Sequence, residues 1–391
     1  KRITYDANLV NRFLTYARIL DPDSKLGTYD KLNSYYEQPE FNYMHISRTM
    51  DLMYDHFQDY ISNLYEKSSK IVKRNTTVCY YDCTNFYFEI ESQDEDYIDE
   101  VTGEIIKGLR KFGISKENRP NPIVQLGLFM DGSGIPLTMC INPGSQNEQI
   151  STVPMEKELI RMFDGKDFIY CADAGLNSFD IRSFNSMGGR KFVVTQSIKK
   201  LSEELQNAIF SDNGFRLLSN DKPVRLSELK EFDLEKIKTN NDDESESLLA
   251  LYNDKAYKIL NADKAEDTGL YEIKVLKNGK IRRIKSKGTL KQDIIVTFSR
   301  KLMEYQRNIR ARQIQRAKRI IRNMDPETYK KGPNDVTRFI KRVKDAEQKE
   351  IYIIDNSVIA EEEKYDGFYA VATNLEDDVK SILEINAQRY R

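Results

Sequence analysis

VCYYDCTNFYFEI, Val78 to Ile90, is rich in aromatic and β-branched residues and reads as a strand with an acid, Asp82, inside it. A second acid closes a similar segment: FIYCAD, Phe168 to Asp173, runs straight into AGLNS. A carboxylate among residues that favour a core is costly unless it is paired, hydrogen-bonded or bound to a metal. Two of them on separate strands predict a shared metal site at Asp82 and Asp173.

Outward from these strands the order is regular. IVQLGLFM (Ile123 to Met130) and IPLTMCI (Ile135 to Ile141) are joined by DGSG (Asp131 to Gly134), a hairpin signature. A helix is predicted over about 151 to 163, with an early Pro and acid. Phe168 to Ala172 is the fourth strand, a helix begins near Asn177 and Ser178, and KFVVTQ (Lys191 to Gln196) is the fifth strand. The order β-β-β-α-β-α-β is that of the ribonuclease H-like fold. Asp173 stands at the C-terminal end of a strand, where ligand sites of open α/β sheets gather.

Before this core, residues about 5 to 72 carry apolar residues at helical spacing, in Leu9 to Leu20 and again in Ile46 to Leu64. His45 and His56 fall here, as exposed or capping residues. After the core, residues about 199 to 364 hold short alternating strands: Ala256 to Leu260, Leu270 to Leu276, Ile281 to Lys285 and Asp293 to Phe298. A basic helix follows over 300 to 323, then a predicted helix over 335 to 349 and strands at Ile351 to Asp355 and Phe368 to Thr373. The last residues, Glu376 to Arg391, begin a helix, with Asn374 as candidate cap. The predicted organisation is a helical region (1–75), a first core part (76–198), a β-rich insertion (199–364) and a return to the core (365–391).

The 391 residues are 39% hydrophobic and 31% charged, with a net charge of −1. No stretch approaches the roughly 20 apolar residues of a membrane span. KRITYDAN lacks the apolar stretch of a signal peptide. The four cysteines lie in or beside apolar runs without a CxxC pair, the pattern of reduced thiols in an intracellular protein. With two histidines, His-based catalysis is disfavoured, and carboxylates are the natural carriers of chemistry. No P-loop, HExxH or GxSxG occurs. The charge is uneven: Arg300 to Arg322 holds nine Lys or Arg and one acid, Glu304, a local face suited to phosphate.

Taken together, several blocks resemble those of DDE transposases, in the bacterial insertion-sequence (IS-four-like) group with a β-rich insertion in a ribonuclease H-like core. They are YDCTNFYFE (Tyr81 to Glu89), GISKENRP (Gly113 to Pro120), IVQLGLFMDGSGIP (Ile123 to Pro136), NPGSQNE (Asn142 to Glu148), YCADAGLNS (Tyr170 to Ser178) and YDGFYAVATN (Tyr365 to Asn374). The resemblance implies an α/β fold with a mixed sheet, and catalytic, metal-binding roles for Asp82 and Asp173. It implies two Mg2+ or Mn2+ ions that activate water for phosphodiester cleavage, after which the freed 3′-hydroxyl attacks target DNA. Its partners would be double-stranded element ends and target DNA, bound by a homodimer in a synaptic complex, in the bacterial cytoplasm at the nucleoid. Phosphate contacts are expected from Arg110, Lys111, Lys116 and Arg119, from Arg307, Arg310, Arg316 and Arg319, and from Arg389.

The sequence departs from the family at the third acid. The family pattern is Tyr, two residues, Arg, three residues, Glu, six residues, Lys. Arg389 matches the Arg, Asn386 stands where Tyr is usual, and the Glu would fall two residues beyond Arg391. Glu384 has the wrong spacing. The expectation is a fragment cut at both ends, lacking one metal ligand and catalytically crippled. Two other readings compete: a ribonuclease H-like nuclease without strand transfer, and a non-catalytic DNA-binding remnant.

Overall fold

Val78–Tyr87 (β1) is a ten-residue strand at the heart of a sheet. The computed structural model describes residues 3–117, 119–164, 167–231, 243–275, 281–323, 335–344 and 348–389. Asn118, Leu276, residues 345–347 and residues 390–391, which figure in the sequence reading, lie outside these. The chain forms two units, Lys1–Arg74 and Asn75–Arg391.

The first unit is helical: Ala7–Leu20 (α1), Lys25–Asp30 (α2), Tyr43–Asp55 (α3) and Phe57–Ile71 (α4). Val10, Phe13, Ala17 and Ile46 are buried in it. His45 works as a cap, its Nδ1 accepting the Asn42 N–H at 3.2 Å while its ring stacks on Tyr5 at 4.2 Å. His56 ends α3.

In the second unit β1 pairs antiparallel with Ile123–Asp131 (β2), which pairs antiparallel with Pro136–Pro143 (β3). The tight turn between them is held by the buried Asp131, whose Oδ1 accepts the N–H groups of Ser133 and Ile135 at 2.9 Å each. Thr152–Met162 (α5) leads to Ile169–Ala172 (β4), parallel to β1. Phe179–Phe184 (α6) leads to Lys191–Thr195 (β5), parallel to β4. The order β3-β2-β1-β4-β5, with antiparallel pairs on one side of β1 and parallel pairs on the other, is the ribonuclease H-like arrangement.

Alternation along β1 sorts its side chains onto two faces. Cys79, Tyr81 and Cys83 point to the α5 side, where Tyr81 stacks on Phe129 at 4.4 Å and Phe129 lies 6.3 Å from Tyr170. Val78 and Tyr80 face the other way, into a core with Cys171, Val193, Ile295 and Val371 under Ile382. Ile382 belongs to the C-terminal helix, Val379–Gln388. Its cap is Asp378, which accepts the Ser381 N–H at 3.0 Å, and not Asn374. Asn374 is taken up elsewhere, accepting the Phe192 N–H at 2.8 Å.

The chain between β5 and this helix extends the same sheet. Phe368–Thr373 (β10) pairs antiparallel with β5. Asp293–Phe298 (β9), Ala256–Asn261 (β8), Phe215–Leu217 (β6) and Pro223–Val224 (β7) continue outward, making ten strands in all. Lys264–Val275 and Ile281–Leu290 form a separate hairpin. The helix predicted over 335–349 is absent. Its described residues form a short turn, Thr337–Phe339, and then a hairpin of Ile340–Lys344 with Glu350–Ile354. Ile340 faces Ile354 and Val343 faces Ile351, so branched residues meet across the strands. Val336 and Phe339 are buried against Ala317 and Ile320 of the basic helix, Arg300–Asn323. Among the described residues no helix is long and apolar enough to cross a membrane.

Beneath the α5 side Glu156 is fully buried, and neither of its carboxyl oxygens has a hydrogen-bond partner among the described residues. Burial pushes its acid up to about 8, against the pull of Asn185 and Arg190. The buried Asn185 Oδ1 also lacks a partner among the described residues. An acid raised in the folded state stabilises the fold below its unfolded value and loses that contribution as pH rises through the folded value. Stability is therefore expected to fall between about pH 4.5 and pH 8 on this account. Glu156→Gln should flatten that fall and gain on the order of 2–4 kcal/mol at pH 8, measured by urea unfolding across pH. An unchanged pH dependence would contradict the assignment.

Candidate functional site

The β1–β4 register pairs Tyr80 with Cys171 and Tyr81 with Ala172. One step further along both strands stand Asp82 and Asp173. Parallel strands keep register partners on one face, so both carboxylates lie on the side covered by the C-terminal helix, at the C-terminal end of β4. Asp82 thus lies within β1 and Asp173 directly after β4, each one residue beyond the last register pair, Tyr81 with Ala172.

Their burial differs from the sequence expectation. Asp82 is exposed and Asp173 half-buried. The apolar neighbours that make Asp82 look interior, Tyr81 and Cys83, belong to the opposite face. Asp82 Oδ1 accepts the Cys83 N–H at 2.8 Å, and Asp173 Oδ1 accepts the Gly175 N–H at 2.8 Å. Neither carboxylate is neutralised by an ion pair among the described residues, so both are open to a ligand from solvent.

Two groups not singled out in the sequence as parts of this site gather here. Lys116, predicted as a phosphate contact, donates from Nζ to the Cys83 carbonyl, directly beside Asp82. Glu148, at the end of the NPGSQNE block, is half-buried within the field of Lys116, Asp82 and Asp173. Burial raises its acid above the usual carboxylate range; Lys116 opposes the shift, and the two aspartates add to it. The nearby thiols are inert, since burial pushes Cys83 and Cys171 up to about 12.

Among the described residues no three His, Cys, Asp or Glu side chains stand close enough together to hold a metal ion. An exposed and a half-buried aspartate, neither in an ion pair among the described residues, nevertheless fit Mg2+ or Mn2+. Mg2+ takes hard oxygen ligands, is often held by one or two carboxylates, and keeps several waters.

The C-terminal helix lies along this face. Tyr80 OH donates to the Ile385 carbonyl and to Gln388 Oε1, at 3.2 Å each. Asn386 Nδ2 donates to Tyr369 OH at 2.8 Å, and Tyr369 OH is 2.7 Å from Thr195 Oγ1 at the end of β5. The helix thus runs from the start of β5 toward its C-terminal end, the level of Asp173. Arg389 is close enough for its charge to lower the Cys171 acid against the dominant effect of burial.

The remaining basic residues divide. Arg119 is exposed, 4.3 Å over the Tyr87 ring and 3.2 Å from Glu117. Arg110 pairs with Asp94 at 2.5 Å and Lys111 with Asp96 at 2.6 Å, which ties both to the acidic stretch after β1. On the basic helix Arg316 and Arg319 are exposed, without an ion pair among the described residues. Arg307 lies 3.6 Å from Asp366. Arg310 is not a surface cation. It is 6% exposed and bound through both terminal nitrogens to the buried Asp366, with Glu363 at 3.5 Å. The helix needs Arg310 for its own docking, so phosphate contact passes to its outward residues.

No family model and no curated protein sequence matches the chain. Among solved structures it is similar to the Mos1 mariner paired-end complex with Mn, at 12% identity and a TM-score of 0.21, over 49% of this chain and 59% of that one. It is also similar to the piggyBac transposase synaptic complex with hairpin DNA, at 10% identity and a TM-score of 0.30, over 52% and 43%. A pre-cleavage Mos1 transpososome matches at 9% identity and a TM-score of 0.19, over 48% and 58%. The chain spans less than two thirds of each of those proteins. Likenesses this distant say nothing of what this chain binds or does, and its fold is read from its own strand order.

The divided roles of the basic helix make a direct test. Arg310→Ala should cost about 3–5 kcal/mol by leaving Asp366 buried without its partner. Arg316→Ala and Arg319→Ala should each stay within about 0.5 kcal/mol. Chemical denaturation of the three variants reads both outcomes.

Proposed function

We propose that this protein is a DDE-type transposase that cuts DNA at the ends of an insertion sequence and transfers the freed strand to target DNA. What supports the reading is that Tyr81 of β1 pairs with Ala172, the last residue of the parallel β4, so that Asp82 and Asp173 each follow directly on a paired residue within the β3-β2-β1-β4-β5 order. The quoted sequence blocks, which surround both aspartates, support it.

In this reading Asp82 and Asp173 hold Mg2+ or Mn2+. Held there, such an ion would supply activation of a water and stabilisation of the leaving oxygen in phosphoryl transfer. The protein's own residues do the rest. The turn after β4, fixed by Gly175 N–H on Asp173, sets the orientation of that carboxylate. Lys116 and Arg119, on the segment beside β1, receive the backbone of the strand being cut. Arg316 and Arg319 hold flanking phosphates of the duplex, and Arg307 and Arg389 add positive charge. The family's third acid belongs to the C-terminal helix, whose last turn already rests on Tyr80 and Cys171, two residues before the aspartates. The acting unit is a homodimer that brings two element ends together, and Lys1–Arg74 contributes to that assembly or to end recognition. The chain's site of action is the bacterial nucleoid.

A chain carrying glutamate at the family spacing after Arg389 should nick element-end DNA with Mn2+ or Mg2+ and join the freed 3′ end to a target. Asp82→Asn and Asp173→Asn should each reduce this to background while leaving DNA binding and folding intact. Cleavage by both variants at the parental rate would refute the site, and cleavage without joining would favour the nuclease reading. Removing Arg316 and Arg319 should flatten the plot of log affinity against log salt by about 0.9 for each phosphate that is no longer neutralised.

A further inference from the structure

Glu148 opens a 3-10 turn, Glu148–Ser151, just after β3. Side chains of the same turn tie it to the residue before Asp82 and to the turn that follows Asp173. On one side Ser151 Oγ shares a 2.8 Å hydrogen bond with Tyr81 OH, the residue before Asp82. On the other, Gln149 Nε2 donates to the Gly175 carbonyl at 2.6 Å, and Gly175 N–H is the group held by Asp173. Asn147 caps the turn through the Gln149 N–H at 3.0 Å. These ties join the turn that carries Glu148 to the middle of β1 and to the turn after β4, and bring its carboxylate within the field of Asp82, Asp173 and Lys116.

The Glu148 carboxylate accepts no hydrogen bond within the described residues, although it is half-buried. Holding a charged carboxylate there, beside two others, is unfavourable without a compensating cation. Lys116 supplies one positive charge against three negative ones. Two negative charges remain, which matches a divalent ion. The three acids do not converge closely enough to ligate one ion together.

We infer that Glu148 is a positioning residue for the aspartate pair, accepting hydrogen bonds from the waters of the divalent cation held by Asp82 and Asp173. The inference rests on the metal-dependent reading above. Carboxylates behind a metal's direct ligands fix the orientation of bound water and tune affinity. Glu148 also balances Lys116, keeping that cation from pairing with Asp82 in the ion's place.

The test is Mn2+ binding to the full 391-residue chain, by titration calorimetry and Mn2+ electron paramagnetic resonance. Glu148→Gln should weaken Mn2+ about 10–100-fold, with the thermal midpoint of the metal-free chain unchanged. Glu148→Asp should recover part of the loss, and Glu203→Gln, on an outlying helix, should behave as the parent. If Glu148→Gln binds Mn2+ like the parent while Asp173→Asn does not, the inference falls and the proposed function stands. If the parent takes up no Mn2+, or Asp173→Asn binds as well as the parent, both fall. If Glu148→Gln and Glu148→Asp both lose the metal-free fold, Glu148 is a folding residue and the inference falls.

Discussion

Four consecutive register pairs, Val78 to Tyr81 against Ile169 to Ala172, set the position of everything chemically interesting in the second unit. A parallel pairing needs a crossover connection, and α5 provides it. The buried aromatics Tyr81, Phe129 and Tyr170 lock the register from the α5 side. A slip of one residue would turn Asp173 toward α5 and separate it from Asp82. The aromatic packing on one face thus holds the two carboxylates together on the other, without making direct contact with them.

The site is wet, and its chemistry depends on that. Asp82 is exposed and Asp173 half-buried, so water reaches both carboxylates and an ion can approach them from solvent. Asp366, by contrast, is buried, and Arg310 meets it with both terminal nitrogens. The same basic helix therefore carries two kinds of arginine. One anchors it to the sheet, and the others face water at Arg316 and Arg319.

The core is legible in the sequence because local patterns and pairing agree there. Alternation in Val78 to Ile90, the DGSG turn and the capped helix starts each point to the fold that forms. Asp82 and Asp173 are legible as a pair but not in their burial, since a run of apolar residues does not say which face each one serves. The segment over 335–349 misleads for a related reason. Its strand pairing, Ile340 with Ile354 and Val343 with Ile351, outweighs local helix propensity. Two further features depend on distant chain. The joining of β10 to β5 spans the whole insertion, and Glu148 comes to the acids only through ties from Gln149 and Ser151. The YDGFYAVATN and NPGSQNE blocks mark both segments, but neither shows by itself which strand or acid it meets.

The seam between β5 and β10 has a kinetic meaning. Thr373 Oγ1 donates to the Phe192 carbonyl at 2.7 Å across 181 residues of chain, and Asn374 accepts the Phe192 N–H across 182. Loop-closure entropy must be met before such contacts return anything, so sheets of this kind form late and slowly. During synthesis the first five strands leave the ribosome with β5 as a bare edge, and they wait for the entire insertion before that edge is covered. The ribonuclease H-like half is accordingly an unfinished folding unit on its own, and the nascent chain is most exposed to aggregation just before residue 368 emerges.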